Sequence, residues 1–303
     1  EKQVEQYQVS VVNAKNLCHE PAITIDGVNV EVMANVTCRE DVEQALEYGA
    51  DGIGLYRIES FYLSQKMLPS EQEVLDEMIQ TLTPVKGRPI TVRVLDVGGD
   101  KRLPFLNLPL EDDPFLGRRG IRLLLKYPDL LSTQITAIAR LSQEFDIRVL
   151  VPMVTLAPEM ERVRNIFATI ATDAGIENIP ALGAMIETPA AALCVDDLLE
   201  YADFFSIGTN DLTQYTMAAG RENPLVSEYF IEEHPAIFKL LKIIFDQAGN
   251  TPISLCGELA GDKKVIPRIL GVGFRSLSVP PPLVPTIKEA IRTINLGTQE
   301  NFC

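Results

Sequence analysis

Phe204-Phe-Ser-Ile-Gly-Thr-Asn-Asp-Leu-Thr-Gln214 starts apolar and finishes polar, with no strict alternation between the two. An amphipathic helix would repeat its apolar residues every three to four positions, and a half-exposed strand every second one. A short apolar run that ends abruptly in Asn-Asp suits a parallel strand buried on both faces, opening into a loop. The same design recurs on either side, where 182–187 ends in Glu187 and 253–258 ends in Cys256-Gly-Glu258.

Working outward, strand-like runs fall at 30–36, 52–57, 90–96, 148–154, 182–187, 204–210, 253–258 and 276–279. Amphipathic helical patterns lie between them at 39–48, 71–82, 158–174, 190–201, 236–248 and 263–270. Helix-start signals stand at Pro69-Ser70-Glu71, Pro158-Glu159 and Asp262. Strands alternating with helices predict an α/β fold, and eight of them predict a (β/α)₈ TIM barrel. A doubly wound open sheet is the alternative. The connection between strands three and four is a long insertion holding Gly98-Gly-Asp-Lys101, a proline-rich stretch to Pro114 and then residues 115–143. Insertions of this length usually carry function. Residues 1–20 read as the remnant of a linker helix, and 21–303 as the barrel.

Bulk properties narrow the function. The chain has 303 residues, 46% of them hydrophobic, and 27 Lys plus Arg against 42 Asp plus Glu, for a net charge of −15. That balance opposes a nucleic-acid surface or contact with an anionic membrane. No run approaches the roughly 18 apolar residues of a membrane span, and no secretory signal layout opens the chain. A soluble, cytoplasmic protein is expected. Cys18, Cys38, Cys194, Cys256 and Cys303 form no CxxC pair and read as free thiols. With two histidines and no Trp, histidine-based metal or base chemistry has little to work with.

In a barrel, residues just past the C-terminal ends of strands face the active-site mouth. Glu187 and Asp211 occupy such positions. Two carboxylates with room for water and substrate oxygens suit octahedral Mg²⁺, and the lack of neighbouring Cys or His argues against zinc. Capping of the following helix is the structural alternative for Asp211. Asn210 can offer an amide to an anion, or simply form a turn. Arginines gather at Arg57, Arg118, Arg119, Arg122 and Arg221, and guanidinium forks hold phosphate and carboxylate without losing charge. Of these, Arg118 reads as solvated, and Glu59 is a candidate partner for Arg57. Cys256 can donate a proton or act as a nucleophile, against an inert core thiol as the alternative. Gly98-Gly-Asp-Lys101 fits no phosphate-loop pattern and reads as a tight turn, with Arg93 or Asp96 behind the site.

These phrases resemble the phosphoenolpyruvate-binding C-terminal domain of enzyme I of the bacterial sugar phosphotransferase system. They are Ala34-Asn35-Val36, Gly-Leu-Tyr-Arg57-Ile-Glu59, Asp96-Val-Gly-Gly-Asp-Lys101, Pro114-Phe-Leu-Gly-Arg-Arg119, Val151-Pro152-Met153, Glu187-Thr-Pro-Ala, Phe205-Ser-Ile-Gly-Thr-Asn-Asp211-Leu-Thr-Gln-Tyr and Cys256-Gly-Glu-Leu-Ala-Gly. Pyruvate phosphate dikinase and phosphoenolpyruvate synthase share the architecture but differ in the thiol-bearing phrase. The resemblance implies that Glu187 and Asp211 hold Mg²⁺, and that Arg57, Arg119 and Arg221, with Asn210, clamp phosphoenolpyruvate. It further implies that Cys256 protonates the enolate to give pyruvate.

The family's phosphoryl acceptor is a histidine in a Thr-Ser-His context on a separate domain, and that motif is absent from this sequence. The resemblance therefore implies an external histidine-bearing domain, a downstream phosphocarrier protein and a homodimer. The sequence departs from the family at Ile58, Ser60 and Arg118. A metal-dependent 2-oxo acid aldolase and a catalytically silent phosphoenolpyruvate sensor are the rival readings.

Overall fold

The computed structural model describes residues 16–99, 101–176 and 179–298. Eight parallel strands form its centre: β1 (Asn29–Val36), β2 (Ile53–Arg57), β3 (Ile90–Arg93), β4 (Ile147–Val151), β5 (Ala181–Ile186), β6 (Phe204–Gly208), β7 (Ile253–Cys256) and β8 (Ser276–Val279). Each pairs with its successor, and β8 returns to β1 with Ser276 opposite Glu31 and Val279 opposite Ala34. That closing ladder makes the sheet a (β/α)₈ barrel and rules out the open doubly wound sheet. A two-residue strand, Ala22–Ile23, pairs antiparallel with the start of β1. Arg292 holds the preceding turn through the carbonyls of Leu17, Glu20 and Pro21. The linker helix expected over 1–20 falls largely on residues 1–15, outside the described residues.

The near-continuous apolar runs follow from burial on two sides. All residues of β3 and β6 are buried, because one face meets the surrounding helices and the other fills the barrel. Leu55, Leu150, Met185, Phe204 and Cys256 form a separate small cluster drawn from five strands, which plugs the interior beneath the mouth.

Five expected strands overran their C-terminal ends. The ladders stop at Arg93, Val151, Ile186, Gly208 and Cys256, yet Val94, Leu95 and Val154 beyond them are 0% exposed. The loops fold inward over the mouth, so the apolar pattern outlasts the pairing. Residues past the overrun ladders include Asp96, Glu187, Asn210 and Glu258, all of which face the site.

The helix over Glu71–Leu82 lies where expected. Ser70 accepts the Glu73 N–H at 3.3 Å, and the Glu73 carboxylate accepts the Ser70 N–H at 2.7 Å, a reciprocal cap. The helix expected over 190–201 is instead two pieces, Pro189–Leu193 and a 3₁₀ turn at Asp196–Leu198. The Gln247 side chain takes the Val195 N–H at 2.8 Å, diverting the backbone from a continuous ladder. The insertion carries helices Ile121–Leu124 and Pro128–Leu141, the second joined to Glu71 by Arg140 at 2.6 Å. A helix over Thr209–Met217 starts directly after β6, with Asp211 in its first turn rather than at its N-cap.

Candidate active site

The site is built on a buried charge network at the end of β3. Arg93 is 7% exposed; it donates to Glu59 at 3.0 Å and lies 3.2 Å from the Asp96 carboxylate. Glu59 also accepts the Asp96 N–H at 2.9 Å. Burial opposes the Arg93 charge, but Glu59 and Asp96 outweigh it and raise its pKa. Asp96 is the mirror case, where the two arginines outweigh burial and lower its pKa. The Arg93 Nε is buried with no hydrogen-bond partner. The expected Glu59–Arg57 pairing is therefore corrected: Glu59 serves Arg93. Among the described residues the Arg57 side chain has no ion pair or hydrogen bond, and it lines the cavity.

Arg119 bridges two carboxylates. Its Nε and one terminal nitrogen donate to Asp96 at 3.2 and 3.0 Å, and its two terminal nitrogens donate to Asp211 at 2.7 and 3.0 Å. A fifth bond reaches the Tyr215 hydroxyl at 3.1 Å, and that hydroxyl donates to the Phe115 carbonyl at 2.6 Å. The Gly-Gly turn explains the position of Arg119. Gly98 (φ 107°) bonds back to Lys101, and a Cβ there would stand 2.2 Å from the Arg118 carbonyl and 2.8 Å from the Arg119 Cα. The turn is a seat for the insertion rather than a phosphate loop.

Glu187, 1% exposed, accepts the Met153 N–H at 2.6 Å. A Cβ on Gly208 would come within 2.6 Å of its other oxygen, so glycine is required beside it. Burial, followed by the nearby Asp211 and Asp96, pushes its pKa up to about 8 despite Arg93 and Arg119. Such a carboxylate is short of positive charge. Together with Asp211 it offers hard oxygen donors, a set that suits a hard divalent cation. Among the described residues no group of three or more His, Cys, Asp or Glu is arranged around a metal position. A cation here would draw its remaining ligands from water or substrate.

Cys256 ends β7, 2% exposed. Its thiol donates to the Ile207 carbonyl at 3.1 Å and accepts from the Ser206 hydroxyl at 3.7 Å. Burial, and to a lesser extent the Glu187 charge, pushes the thiol up to about 11, so it stays protonated at neutral pH. Asn210 accepts the Glu258 N–H at 2.8 Å, and Glu258 in turn accepts from Arg221 at 2.6 Å. Gly257 (φ 102°) makes this junction possible.

Every site residue expected from the sequence lines one cavity of about 1300 Å³ at the C-terminal ends of the strands: Arg57, Arg119, Glu187, Asn210, Asp211, Arg221 and Cys256. Arg118 is exposed and does not line the cavity, whereas Arg122 is spent on Leu116, Gly117 and Thr155. Sequence reasoning underrated Arg93, Asp96 and Lys101, which line the cavity, and it missed Tyr215. The available signal was an arginine closing an otherwise apolar run, the criterion that picked out Arg57.

The chain matches the family described as PEP-utilising enzyme, PEP-binding domain, over residues 12–296. It is 39% identical over 290 residues to a phosphoenolpyruvate-protein phosphotransferase of Bacillus sp. (strain S), covering 92% of this chain and 50% of that protein. It is 41% identical over 275 residues to a multiphosphoryl transfer protein of Xanthomonas campestris pv. campestris, covering 90% of this chain and 33% of the relative. A phosphoenolpyruvate-protein phosphotransferase of Haloferax volcanii is 39% identical over 283 residues, with 90% and 50% covered. The chain thus spans a third to a half of the length of these relatives. A crystal structure of an HpcH/HpaI aldolase from Desulfitobacterium hafniense DCB-2 aligns with a TM-score of 0.48 at 14% identity, over 82% of this chain and 85% of that one. The barrel assignment rests on strand pairing and not on that likeness. By sequence match and relatives alike, the chain belongs to the PEP-utilising enzymes, as their PEP-binding domain.

Proposed function

We propose that the chain binds phosphoenolpyruvate with Mg²⁺ at the barrel mouth and passes the phosphoryl group to a histidine on a separate domain, leaving pyruvate. The observation that carries this reading is the convergence of arginines, two acidic oxygen donors and a protonated thiol on one cavity in a chain of this family. Phosphoenolpyruvate is a small dianion or trianion with a phosphate and a carboxylate. Arg57, whose side chain has no partner among the described residues, is the cation best placed to hold it; Lys101 also lines the cavity, Arg93 supplies positive charge from behind its carboxylate partners, and Arg221 stands at the rim. Phosphoryl transfer passes through a loose transition state, which needs positioning and charge stabilisation more than covalent help.

Glu187 and Asp211 would hold the cation, and Mg²⁺ there would supply charge neutralisation at the substrate oxygens. As the bond from phosphorus to the enol oxygen breaks, the electron pair left on that oxygen forms the carbonyl of pyruvate. The methylene carbon takes the proton of Cys256. The raised thiol pKa favours this acid role over that of a thiolate nucleophile. The Ser206 hydroxyl, which donates to the sulfur, would stabilise the thiolate left behind.

The wider reading comprises a histidine-bearing acceptor domain, a downstream phosphocarrier in sugar uptake, a homodimer and a cytoplasmic location. It draws support from the relatives named as phosphotransferases and multiphosphoryl transfer proteins. Among the described residues no helix is long and apolar enough to cross a membrane. Calorimetric titration of phosphoenolpyruvate with Mg²⁺, without it, and with Asp211→Ala tests the core of the reading. Saturable binding that needs both the metal and Asp211 is expected; binding indifferent to both would sink it.

A further inference from the structure

A guanidinium has five N–H donors, and Arg119 uses all of them, two on Asp96, two on Asp211 and one on Tyr215. As it stands, Arg119 has no donor left for a substrate anion. Both oxygens of Asp211 already face a positive charge, and a divalent cation on the same oxygens would meet a like charge at close range. The cation and Arg119 therefore compete for Asp211.

The two carboxylates are not equivalent for Arg119. Asp96 is 6% exposed, faces Arg93 at 3.2 Å and has its own N–H bonded to Glu59. Asp211 sits at the cavity wall with its side chain 21% exposed. Were Asp211 withdrawn, the bonds from Nε and one terminal nitrogen to Asp96 would still hold Arg119, and the donors released from Asp211 would be free for a ligand in the cavity.

We infer that Arg119 is an internal counter-cation for Asp211, exchanged for the divalent ion, and that this exchange couples cation binding to anion binding. The inference rests on the proposed Mg²⁺ and phosphoenolpyruvate site. A cation arriving at Asp211 frees Arg119 donors for the substrate, and a substrate that recruits Arg119 frees Asp211 for the cation. Linkage makes the effect reciprocal. Arg119 is thus a positioning residue before it is a substrate ligand.

The test is Mg²⁺ binding, measured by calorimetry with and without saturating phosphoenolpyruvate, on the whole chain and on Arg119→Gln. The expected result for the unmodified chain is Mg²⁺ affinity raised roughly five- to hundredfold by phosphoenolpyruvate. Arg119→Gln is expected to bind Mg²⁺ alone more tightly than the unmodified chain does, with the enhancement by phosphoenolpyruvate lost. A merely structural role for Arg119 would weaken Mg²⁺ binding rather than strengthen it. Arg119→Lys keeps the charge but not the two-carboxylate bridge, so it should fall between the two and serves if the glutamine variant does not fold. Equal or weaker Mg²⁺ affinity in both variants overturns the exchange and leaves the proposed function standing. Failure of the unmodified chain to bind either ligand overturns the underlying reading and the exchange with it.

Discussion

Met153 gives its backbone N–H to the buried Glu187 carboxylate across 2.6 Å while holding a left-handed backbone, φ 59°. A non-glycine residue in that region costs on the order of 1–3 kcal/mol and persists only where its surroundings enforce it. Here the enforcement is local. A Cβ on Gly120 would lie 2.8 Å from the Met153 Cβ, so the insertion presses on the turn from one side while Glu187 holds it from the other. The loop after β4 is thereby fixed to the carboxylate that ends β5.

The Glu187 titration makes the metal-free fold pH-dependent. Its pKa is raised from 4.5 to about 8 in the folded chain, so the folded state binds this proton more tightly than the unfolded state does. The resulting stability is complete below the unfolded value and is lost as pH rises through about 8. Thermal unfolding of metal-free protein is expected to show Tm falling between pH 5 and 9, with a shallower slope in Glu187→Gln. Parallel curves for the two proteins would show that another group sets the slope.

Cys256→Ala is expected to slow pyruvate formation by roughly 10²- to 10⁴-fold, the usual contribution of a placed general acid. Phosphoenolpyruvate binding should barely change, since Arg57, Arg93 and the carboxylates are untouched. The check is a lactate dehydrogenase-coupled assay with an added histidine domain, run beside a binding titration. Unchanged turnover would remove the proton-donor role.

Gly257→Ala should damage both stability and binding. Its φ of 102° is strained for any L side chain, and the new Cβ would lie 2.2 Å from the Thr209 hydroxyl and 2.8 Å from the Asn210 amide oxygen. Relief requires pushing Thr209 and Asn210 away, which breaks the bond from the Glu258 N–H to Asn210. A loss of about 2 kcal/mol or more is expected in denaturant unfolding, together with weaker phosphoenolpyruvate binding by calorimetry. Wild-type values in both would mean that the β7 turn is softer than this packing implies.

A control lies at the other end of the barrel. Lys288, 1% exposed, donates to the Gly49 carbonyl at 2.6 Å and to Asp51 at 2.7 Å, near the N-terminal end of β2. Lys288→Ala leaves that carbonyl without its partner and opens a cavity, for an expected loss of about 3 kcal/mol. Lys288→Met fills the space and should lose less. Neither should alter ligand affinity; a change in phosphoenolpyruvate binding would show that the two ends of the barrel communicate.

Strand number and the residues reaching the mouth were legible because they depend on local pattern. A doubly buried strand must be apolar along its length, and the first polar residues after it mark the rim. That rule located Glu187, Asn210, Asp211 and Cys256 from short phrases alone. It misjudged the strand ends, since the inward-folded loops keep the apolar pattern, and it ran the sixth strand through the start of the helix at Thr209.

Sequence by itself determined the eight alternating strands and the chemical kinds gathered at their C-terminal ends, whereas the β8–β1 ladder closed them into a barrel. Only the tertiary structure decided which charges pair. Arg93 takes Glu59 from 34 positions away, leaving Arg57 free. Arg119 spans Asp96 and Asp211, 23 and 92 positions distant. The physical reason is that apolar burial follows from each segment's own periodicity, whereas a buried charge takes whichever opposite charge the closed barrel brings within about 3 Å, where desolvation makes the choice decisive.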